Sequence, residues 1–432
     1  MADLVQPHGY PLEEHFVTTK DGYILRLFRI PSSAASSASP ASTHCVVAHP
    51  VAATVDNRHC SKCSWHHNSS SSSVSSSSGR PMVFLQHALM DSSAGWLLLG
   101  PKRSLALQLA DAGFDVWLGN SRGNRYSRNH TQLDPDASSA FWDYSWDDLA
   151  QHDLPASIRY SMAVSGQSSL VYIGYSQGTM IGLAALASQP QLAASISLAV
   201  LIAPVAFTTA MTSPAFVLSS RLGFDRFALS QGWGEWGSFQ QANSDAMMPI
   251  CRRFPWFCLG YLTTFCGSNP RGNVEEEMVP LVFGHLPAGT SVKVMSQWAQ
   301  SMRRGNTQHL HRFDYGSECS NVNSTGPGSA GSGVLRCNLE VYGQPEPPVY
   351  DPAAITTPLA LFTGGRDTIS KLADVELLKG VLQPGVLQLH QHQPDYGHLD
   401  FELGADAPEL VYPELLQLVT KFGAQSQAAT AS

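Results

Sequence analysis

Short apolar runs recur along this 432-residue chain, and most of them alternate with segments that favour helix. The runs lie at Val83–Leu85, Asp115–Leu118, Leu170–Ile173, Leu198–Ile202, Leu359–Phe362 and Leu387–Leu389, and the helical segments at Lys102–Ala112, Trp146–Ser161, Gln177–Ala187 and Ala407–Phe422. Alternating buried strands and helices are typical of a mostly parallel sheet that helices cover on both faces. The pattern therefore predicts an α/β fold.

The N-terminal region has a different pattern. Two alternating runs within Glu14–Ile30, joined by Lys20-Asp-Gly22, predict a pair of antiparallel strands. Ser32–Gly79 is of low complexity, with nine Ser in the ten positions 69–78. We expect this segment to be an insertion, because such a composition buries too little apolar surface to order itself.

From Phe207 to about Pro348 the alternation stops, and Trp, Phe and Tyr accumulate among many Gly and Pro residues. This section predicts a cap that packs inward and lines an apolar pocket; a helical insertion whose aromatic residues only pack inward is the alternative. The chain thus divides into N-terminal strands (1–31), a Ser-rich insertion (32–80), a first core part (81–206), a cap or lid (207–348) with a flexible Gly/Ser loop (317–333), and a second core part (349–432).

Composition and charge exclude several classes of function. The formal net charge is −8 and no basic cluster is present, which argues against a nucleic-acid surface. The apolar stretch Leu192–Phe207 is shorter than the ~20 residues of a spanning helix and contains Pro204, so no transmembrane helix is predicted. The N-terminus has no basic region followed by an apolar one, so no signal peptide is predicted.

The candidate nucleophile is Ser176, in the motif Gly174-Tyr-Ser-Gln-Gly178. The motif follows a predicted strand and precedes a predicted helix, which is the context of a nucleophile elbow in an α/β-hydrolase. Gly119-Asn-Ser121-Arg-Gly123 has the same spacing and also follows a strand-like run, but a polar segment without helical period comes after it. We therefore assign the nucleophile to Ser176 and not to Ser121.

A serine nucleophile needs a histidine base that a carboxylate orients. In this fold the chain order is Ser, then acid, then His, and the side chains come from the carboxyl ends of strands. Asp367 follows a strand that breaks at Gly364-Gly365, and His398 follows the last predicted strand. The alternatives are His390 or His392 as the base and Asp395 or Asp400 as the acid.

Acyl transfer also requires N–H donors for the oxyanion. In this fold one donor is the backbone N–H after the nucleophile, here Gln177, and the other comes from the loop after the third strand. That loop begins at Gln86-His-Ala-Leu89, so the second candidate donor is the N–H of Leu89.

Cysteines are few. Cys251, Cys258 and Cys266 lie in one short aromatic stretch, and Cys319 and Cys337 flank a Gly/Ser loop. Either set can form a disulfide in an oxidising compartment, and the sequence does not fix the pairing.

Several stretches carry a family resemblance, in order through most of the chain: Gly9–His15, Thr19–Leu25, Leu85–Leu89, Leu109–Asn124, Phe141–Ala150, Asp153–Ala156, Gly174–Thr179, Ala203–Ala206, Pro287–Val292, Gly364–Asp367 and Gly397–Phe401. Through them the chain resembles the acid lipase family of α/β-hydrolases, which includes gastric lipase, lysosomal acid lipase, and plant and fungal triacylglycerol lipases and steryl esterases. The resemblance implies an α/β-hydrolase fold with an inserted cap.

Carried residue by residue, the resemblance implies Ser176 as nucleophile, Asp367 as acid and His398 as base, with Leu89 and Gln177 as oxyanion donors. It also implies a cap disulfide at Cys251 and Cys258, where the spacing departs slightly from that of the family.

Two other positions depart from the family pattern. Ala88 stands where the family commonly has Gly, and Tyr175 stands where it usually has His. We expect Tyr175 to be tolerated at the variable position of the elbow. The methyl group of Ala88 either shifts the oxyanion loop or is accommodated.

These observations predict a serine ester hydrolase that cleaves triacylglycerols or steryl esters through an acyl-enzyme on Ser176, without metal or cofactor. Its expected partner is a lipid ester at a lipid–water interface, including a membrane surface or a lipid droplet, where the cap opens. The resemblance implies a secretory, lysosomal or vacuolar location. The alternatives are a lipid-binding protein of the same fold without turnover, and an acyltransferase.

Overall fold

The structure is a computed structural model that describes residues 1–31, 44–47, 79–238, 241–267, 272–305, 309–317, 319 and 337–431. Most of the Ser-rich insertion predicted at 32–80, and all but residue 317 and residue 319 of the Gly/Ser loop predicted at 317–333, lie outside the described residues. Within the insertion, residues 44–47 form a strand that the composition did not predict.

The central element is a nine-stranded, mostly parallel sheet. Its strands are β1 (Glu13–Thr18), β2 (Ile24–Ile30), β3 (His44–Val47), β4 (Met82–Gln86), β5 (Asp115–Leu118), β6 (Leu170–Tyr175) and β7 (Ile196–Ile202). Two short two-stranded sheets pair β8 (Glu235–Ser238) with β9 (Ala288–Ser291) and β10 (Leu310–His311) with β11 (Val349–Tyr350). The central sheet ends with β12 (Leu359–Gly364) and β13 (Leu387–Gln393).

The strand order β13-β12-β7-β6-β4-β5-β2-β1-β3 confirms the α/β fold. All the predicted parallel strands pair as expected, and β2 pairs antiparallel with β1 and β5. The chain passes from β4 to β5 on one side and returns to β6 on the other. Open α/β sheets bind ligands at such a reversal, outside the carboxyl ends of the strands.

Helices cover the sheet and fill the connections. They are α1 (Ala2–Val5), α2 (Leu105–Asp111), α3 (Trp146–Asp148), α4 (Leu154–Ser165), α5 (Gln177–Ser188), α6 (Pro190–Ala193), α7 (Pro214–Leu222), α8 (Phe224–Ser230), α9 (Gln241–Arg253), α10 (Pro255–Cys266), α11 (Val279–His285), α12 (Val292–Arg304), α13 (Asn338–Tyr342), α14 (Leu372–Val381), α15 (Asp400–Leu403), α16 (Ala407–Leu410) and α17 (Tyr412–Ala431).

Two helical predictions need correction, and one helix was missed. The helix predicted at Trp146–Ser161 is interrupted by a π-helical turn at Leu149–Asp153. That turn ends at Asp153, whose carboxylate accepts from the Arg122 side chain at 2.8 Å. The closing helix divides into α16 and α17, and α14 was not predicted.

Alternate residues of the central strands face two apolar cores, one on each side of the sheet. Phe84, Trp117 and Tyr172 pack with α4 and α5 on one face. Val83 and Ile173 pack with α2 and α17 on the other face. This double burial explains why the strands read as continuous apolar runs.

Residues 214–304 are mostly helical, as α7 to α12, and have a third apolar core around α9, α10 and α11. A disulfide joins Cys251 to Cys258 in this core, which is the pairing that the resemblance implied, and a second disulfide joins Cys319 to Cys337. Cys266 has a free thiol. Among the described helices, none combines the length and the apolar character that crossing a membrane requires.

A buried arginine fastens the antiparallel strands to the parallel sheet. Arg29 on β2 is 0% exposed, and its Nε and Nη2 donate to the two Asp115 carboxylate oxygens of β5 at 2.8 and 2.9 Å. Removing one partner of a buried pair leaves an uncompensated charge in the core.

We therefore expect Arg29→Ala to lower the free energy of unfolding by about 3–5 kcal/mol, measured by urea denaturation. The matched control is Arg26→Ala on the same strand, since Arg26 is 31% exposed and pairs with Glu14 at 3.0 Å. A surface pair of this kind contributes about 1 kcal/mol or less. Equal losses in the two variants would contradict the assigned role of the buried pair.

Candidate active site

Ser176 lies in the sharp turn between β6 and α5. Its backbone has φ 53° and ψ −115°, a left-handed conformation that serine rarely adopts. The Ser176 carbonyl accepts from the Thr179 N–H at 2.9 Å, which closes the turn into the helix. Strained backbone of this kind persists only where the surrounding structure enforces it, and it is the geometry of a nucleophile elbow.

The two glycines of the motif are required because strand and helix approach closely. A β-carbon on Gly174 would stand 2.8 Å from the carbonyl of Gly178. A β-carbon on Gly178 would stand 2.4 Å from the Gln86 carbonyl oxygen at the end of β4. The motif thus brings the elbow against the loop that holds Leu89.

His398 links the serine to the acid. Its Nε2 lies 2.7 Å from the Ser176 Oγ, and its Nδ1 lies 2.7 Å from Asp367 Oδ2. All three side chains are buried. With Asp367 ionised, Nδ1–H donates to the carboxylate, so Nε2 is left to accept the serine proton. The structure therefore brings together the three residues that the sequence singled out.

Asp367 and His398 are each held in place by further contacts. The Asp367 Oδ1 accepts from the backbone N–H groups of Ile369 and Ser370, each at 2.8 Å. The Tyr175 ring stacks on the His398 ring at 5.4 Å, and its hydroxyl donates to the His398 carbonyl at 2.8 Å. The acid and the base are thus fixed before any substrate arrives.

The alternative acids and bases lie elsewhere. His390 and His392 are on β13, where a nitrogen of each lies 2.9 Å from the Thr363 hydroxyl. Asp400 accepts from the Gly397 N–H and from the Asn273 amide. Asp395 is partly exposed. None of the four bonds to Ser176 or His398.

The two candidate oxyanion donors flank the elbow. Gln177 is the first residue of α5, so its N–H has no acceptor within the helix. Leu89 lies in the loop after β4, which abuts the elbow at Gly178. Within the described parts of the chain neither N–H bonds to an acceptor. Both residues therefore remain the candidate oxyanion donors.

The second Gly-x-Ser-x-Gly motif supports the oxyanion loop. The Ser121 N–H donates to His87 Nε2 at 3.0 Å, and the Ser121 hydroxyl accepts from Gln86 Nε2 at 3.0 Å. Because Nε2 accepts, Nδ1 carries the proton and donates to the Ala88 carbonyl at 2.7 Å. Burial lowers the pKa of His87 to about 4, which keeps the ring neutral.

These supporting roles were not predicted. His87 supports the loop after β4 by contacts with the segment after β5, one of which is with Asn124, whose Nδ2 lies 3.2 Å from His87 Nε2. The repeated motif was the available signal: Ser121 fails as a nucleophile but still lies at the end of a sheet strand beside the site.

The structure also answers the question about Ala88. The non-glycine residues with positive φ in the described ranges are Met90, Lys102, Ser176 and Ala203. Ala88 is not one of them, so its methyl group imposes no left-handed strain on the oxyanion loop. The sharp turn of this loop falls at Met90, with φ 56°.

Residues of the predicted cap contact the site directly. Trp298 on α12 is buried, and its Nε1 donates to the Gln177 side chain at 2.9 Å. The Phe216 ring of α7 stacks on Trp298 at 5.9 Å. The carbonyl of Cys266, at the end of α10, accepts from the His398 N–H at 2.9 Å. These contacts join the predicted cap to the residues on either side of the Ser176 hydroxyl, Gln177 and His398.

The constellation can perform nucleophilic acyl transfer with protein groups alone. Among the described residues, the candidate group of metal ligands is Cys319, Cys337 and Glu340. Its two cysteines are joined in a disulfide, so neither offers a thiolate.

Comparison with known proteins gives a consistent result. Residues 1–100 match the family described as a partial α/β-hydrolase lipase region, and residues 81–236 match the α/β hydrolase fold. The chain is 33% identical over 425 residues to lipase member K of Mus musculus, covering 97% of this chain and 90% of the relative.

Two further relatives span similar lengths. The chain is 33% identical over 425 residues to gastric triacylglycerol lipase of Rattus norvegicus, covering 98% of this chain and 91% of the relative. It is 31% identical over 430 residues to lysosomal acid lipase/cholesteryl ester hydrolase of Homo sapiens, again covering 98% and 91%.

We expect Asp367→Asn to lower kcat for p-nitrophenyl butyrate by about 10⁴-fold with little change in KM, because an amide no longer holds His398 in the required tautomer. The control is Asp395→Asn, which replaces the partly exposed acid that the sequence left open and should behave like the wild type. A normal rate in Asp367→Asn would rule out its role.

Proposed function

Because this chain belongs to the acid lipase family of α/β-hydrolases, we propose that it is a serine ester hydrolase that cleaves triacylglycerols or steryl esters. The observation that carries the proposal is the hydrogen-bonded series Ser176–His398–Asp367, with both bonds at 2.7 Å, beside two backbone N–H groups without acceptors among the described residues. The names of two relatives, which specify triacylglycerol and cholesteryl ester, support the substrate class.

In this proposal the Ser176 Oγ attacks the ester carbonyl while His398 Nε2 takes its proton. The negative charge that develops on the carbonyl oxygen is stabilised by the N–H groups of Leu89 and Gln177. His398 then returns the proton to the departing alcohol, which leaves an acyl group on Ser176. Water, activated by the same imidazole, releases the fatty acid and restores the serine.

The cap is proposed to open at a lipid surface. Ser176 and His398 are buried, so an ester with long acyl chains reaches the hydroxyl only when the covering residues move. Trp298 and Cys266 belong to that cover and bond to the machinery itself. Movement of α10 and α12 would therefore expose the nucleophile.

The outer face of the cap supports docking to lipid. Helix α10 contains no charged residue, yet Trp256 and Phe257 are 66% and 54% exposed. Further exposed apolar side chains of the same section are Leu218, Leu222, Phe227, Trp233, Phe254 and Tyr261. Exposed apolar surface of this extent marks an interaction site, and a lipid–water interface would cover it.

Covalent labelling with a fluorophosphonate probe tests the enzymatic proposal. We expect the wild type and Ser121→Ala to be labelled, and Ser176→Ala to remain unlabelled, because the Ser176 hydroxyl lies 2.7 Å from His398 Nε2 whereas the Ser121 hydroxyl accepts from Gln86. The unmodified enzyme should also release oleate from emulsified trioleoylglycerol or cholesteryl oleate. Absence of labelling in the wild type would instead favour a lipid-binding protein, and transfer of oleate to another alcohol would favour an acyltransferase.

The double variant Trp256→Ser/Phe257→Ser tests docking. Each exposed aromatic side chain contributes roughly 1.5–3 kcal/mol when buried, so binding to trioleoylglycerol emulsion should weaken at least about tenfold, with hydrolysis of soluble p-nitrophenyl butyrate unchanged. Leu410→Ser, which removes an exposed apolar side chain on α16, is the control. Equal emulsion binding by the double variant and the wild type would refute docking through α10.

A further inference from the structure

Two acidic side chains face each other in the core behind the site. Asp91 belongs to the loop that carries Leu89, and Glu402 lies on α15, just after His398. They are 2% and 6% exposed. A β-carbon on Gly95 would stand 2.4 Å from Glu402 Oε1 and 2.7 Å from Asp91 Oδ2. The missing side chain at Gly95 is what lets the two carboxyl groups approach each other.

The pair has few polar partners. Among the described residues, neither carboxyl oxygen of Asp91 nor Oε1 of Glu402 has a donor in hydrogen-bond geometry, and the backbone N–H groups of Ala88 and Ser92 are the polar groups that favour the ionised form of Asp91. The titratable groups that face the pair are the phenols of Tyr175 on β6, Tyr412 on α17 and Tyr126 after β5. Within the described ranges no cation contributes to the electrostatics of either carboxyl group.

Two carboxyl groups in such surroundings are not both ionised at neutral pH, because burial and mutual repulsion each oppose the charged form. Burial raises the pKa of Asp91 to about 7, although the N–H groups of Ser92 and Ala88 oppose the shift. Burial and the charge of Asp91 raise the pKa of Glu402 well above its ordinary value. At least one proton therefore stays on the pair at neutral pH, and it can bridge the two groups.

Asp91 is connected to the oxyanion loop. Its N–H donates to the Ala88 carbonyl at 3.3 Å, which closes the turn that contains Leu89. The Ala88 carbonyl also accepts from His87, and the Asp91 carbonyl accepts from the Asn124 amide at 3.4 Å. A displacement of Asp91 would be passed directly to the turn that presents the Leu89 N–H.

Glu402 is connected to the histidine. Its N–H donates to the carbonyl of Leu399, the residue after His398, at 3.2 Å. Tyr175 connects the histidine to the region of the acidic pair. Its hydroxyl donates to the His398 carbonyl, and its ring lies 6.1 Å from the ring of Trp96, which follows Gly95. The acidic pair therefore joins the two loops that must be aligned around a reacting carbonyl.

We infer that Asp91 and Glu402 are positioning residues for the proposed hydrolysis: a proton shared between them fastens the oxyanion loop to the segment that follows His398. When this proton is lost, the two carboxylates repel each other and the loops separate. The inference rests on the proposed function, and it adds a device that keeps the oxyanion donor aligned only while the pair is protonated.

The sign of the pH dependence follows from linkage. Both carboxyl groups have a pKa in the folded protein above that in the unfolded chain. At pH values between these two pKa values, the folded protein therefore binds more protons than the unfolded chain. The stabilising contribution of the pair is complete below the unfolded values of about 4, declines as pH rises through about 7, where Asp91 ionises, and is lost when the remaining proton leaves Glu402 at a higher pH. Activity should therefore fall reversibly on the alkaline side.

The experiment compares pH profiles of kcat and KM for p-nitrophenyl butyrate in the wild type, Glu402→Gln and Glu409→Gln. In the wild type kcat should fall about tenfold or more on the alkaline side of about pH 7, with KM changing by less than about twofold. In Glu402→Gln most of this fall should disappear, because the amide donates permanently to an ionised Asp91. The control removes an exposed carboxylate on α16 and should follow the wild type.

An alkaline fall that is the same in Glu402→Gln and in the wild type overturns the inference. If Glu402→Gln does not fold, Asp91→Asn makes the same test with donor and acceptor exchanged. Infrared spectroscopy provides a readout that needs no turnover: the difference between the spectra of the wild type and Glu402→Gln should show a protonated buried carboxyl band at pH 6 that weakens at alkaline pH. Absence of that band overturns the pair, whereas an inactive wild type that shows the band contradicts only the proposed function.

Discussion

The close crossing of β6 and α5 is the constraint on which the rest of the structure depends. It forces Ser176 into a left-handed conformation and leaves no room for side chains at Gly174 and Gly178. The same crossing presses the start of α5 against the end of β4. One local geometry therefore presents the Ser176 hydroxyl at the turn, orients a helix N-terminus toward it and positions the predicted oxyanion loop.

Around this crossing, the site is held by groups that take no part in the chemistry. His87 and Ser121 fix the oxyanion loop from one side, and Tyr175 stacks on the imidazole from the other. The backbone N–H groups of Ile369 and Ser370 hold the Asp367 carboxylate. Such support matters because a reacting group that moves by a fraction of an ångström loses much of its effect.

The predicted cap has aromatic residues on both of its faces. Trp298 and Phe216 pack inward and reach the Gln177 side chain, whereas Trp256 and Phe257 remain exposed. An inward face closes the site to water, and an outward apolar face has no favourable contact in water. This difference between the two faces is the basis of the proposed docking to lipid.

The local pattern of residues in the sequence predicted the strands of the sheet and the position of the nucleophile elbow. Apolar runs gave the strands, because a strand buried on both faces must be apolar throughout, and motif context separated Ser176 from Ser121. The tertiary structure alone decided which distant polar groups meet, such as Ser121 with His87 and Asp91 with Glu402. Each depends on the path of the chain between the partners, since composition and spacing carry no information about which buried polar groups will face one another.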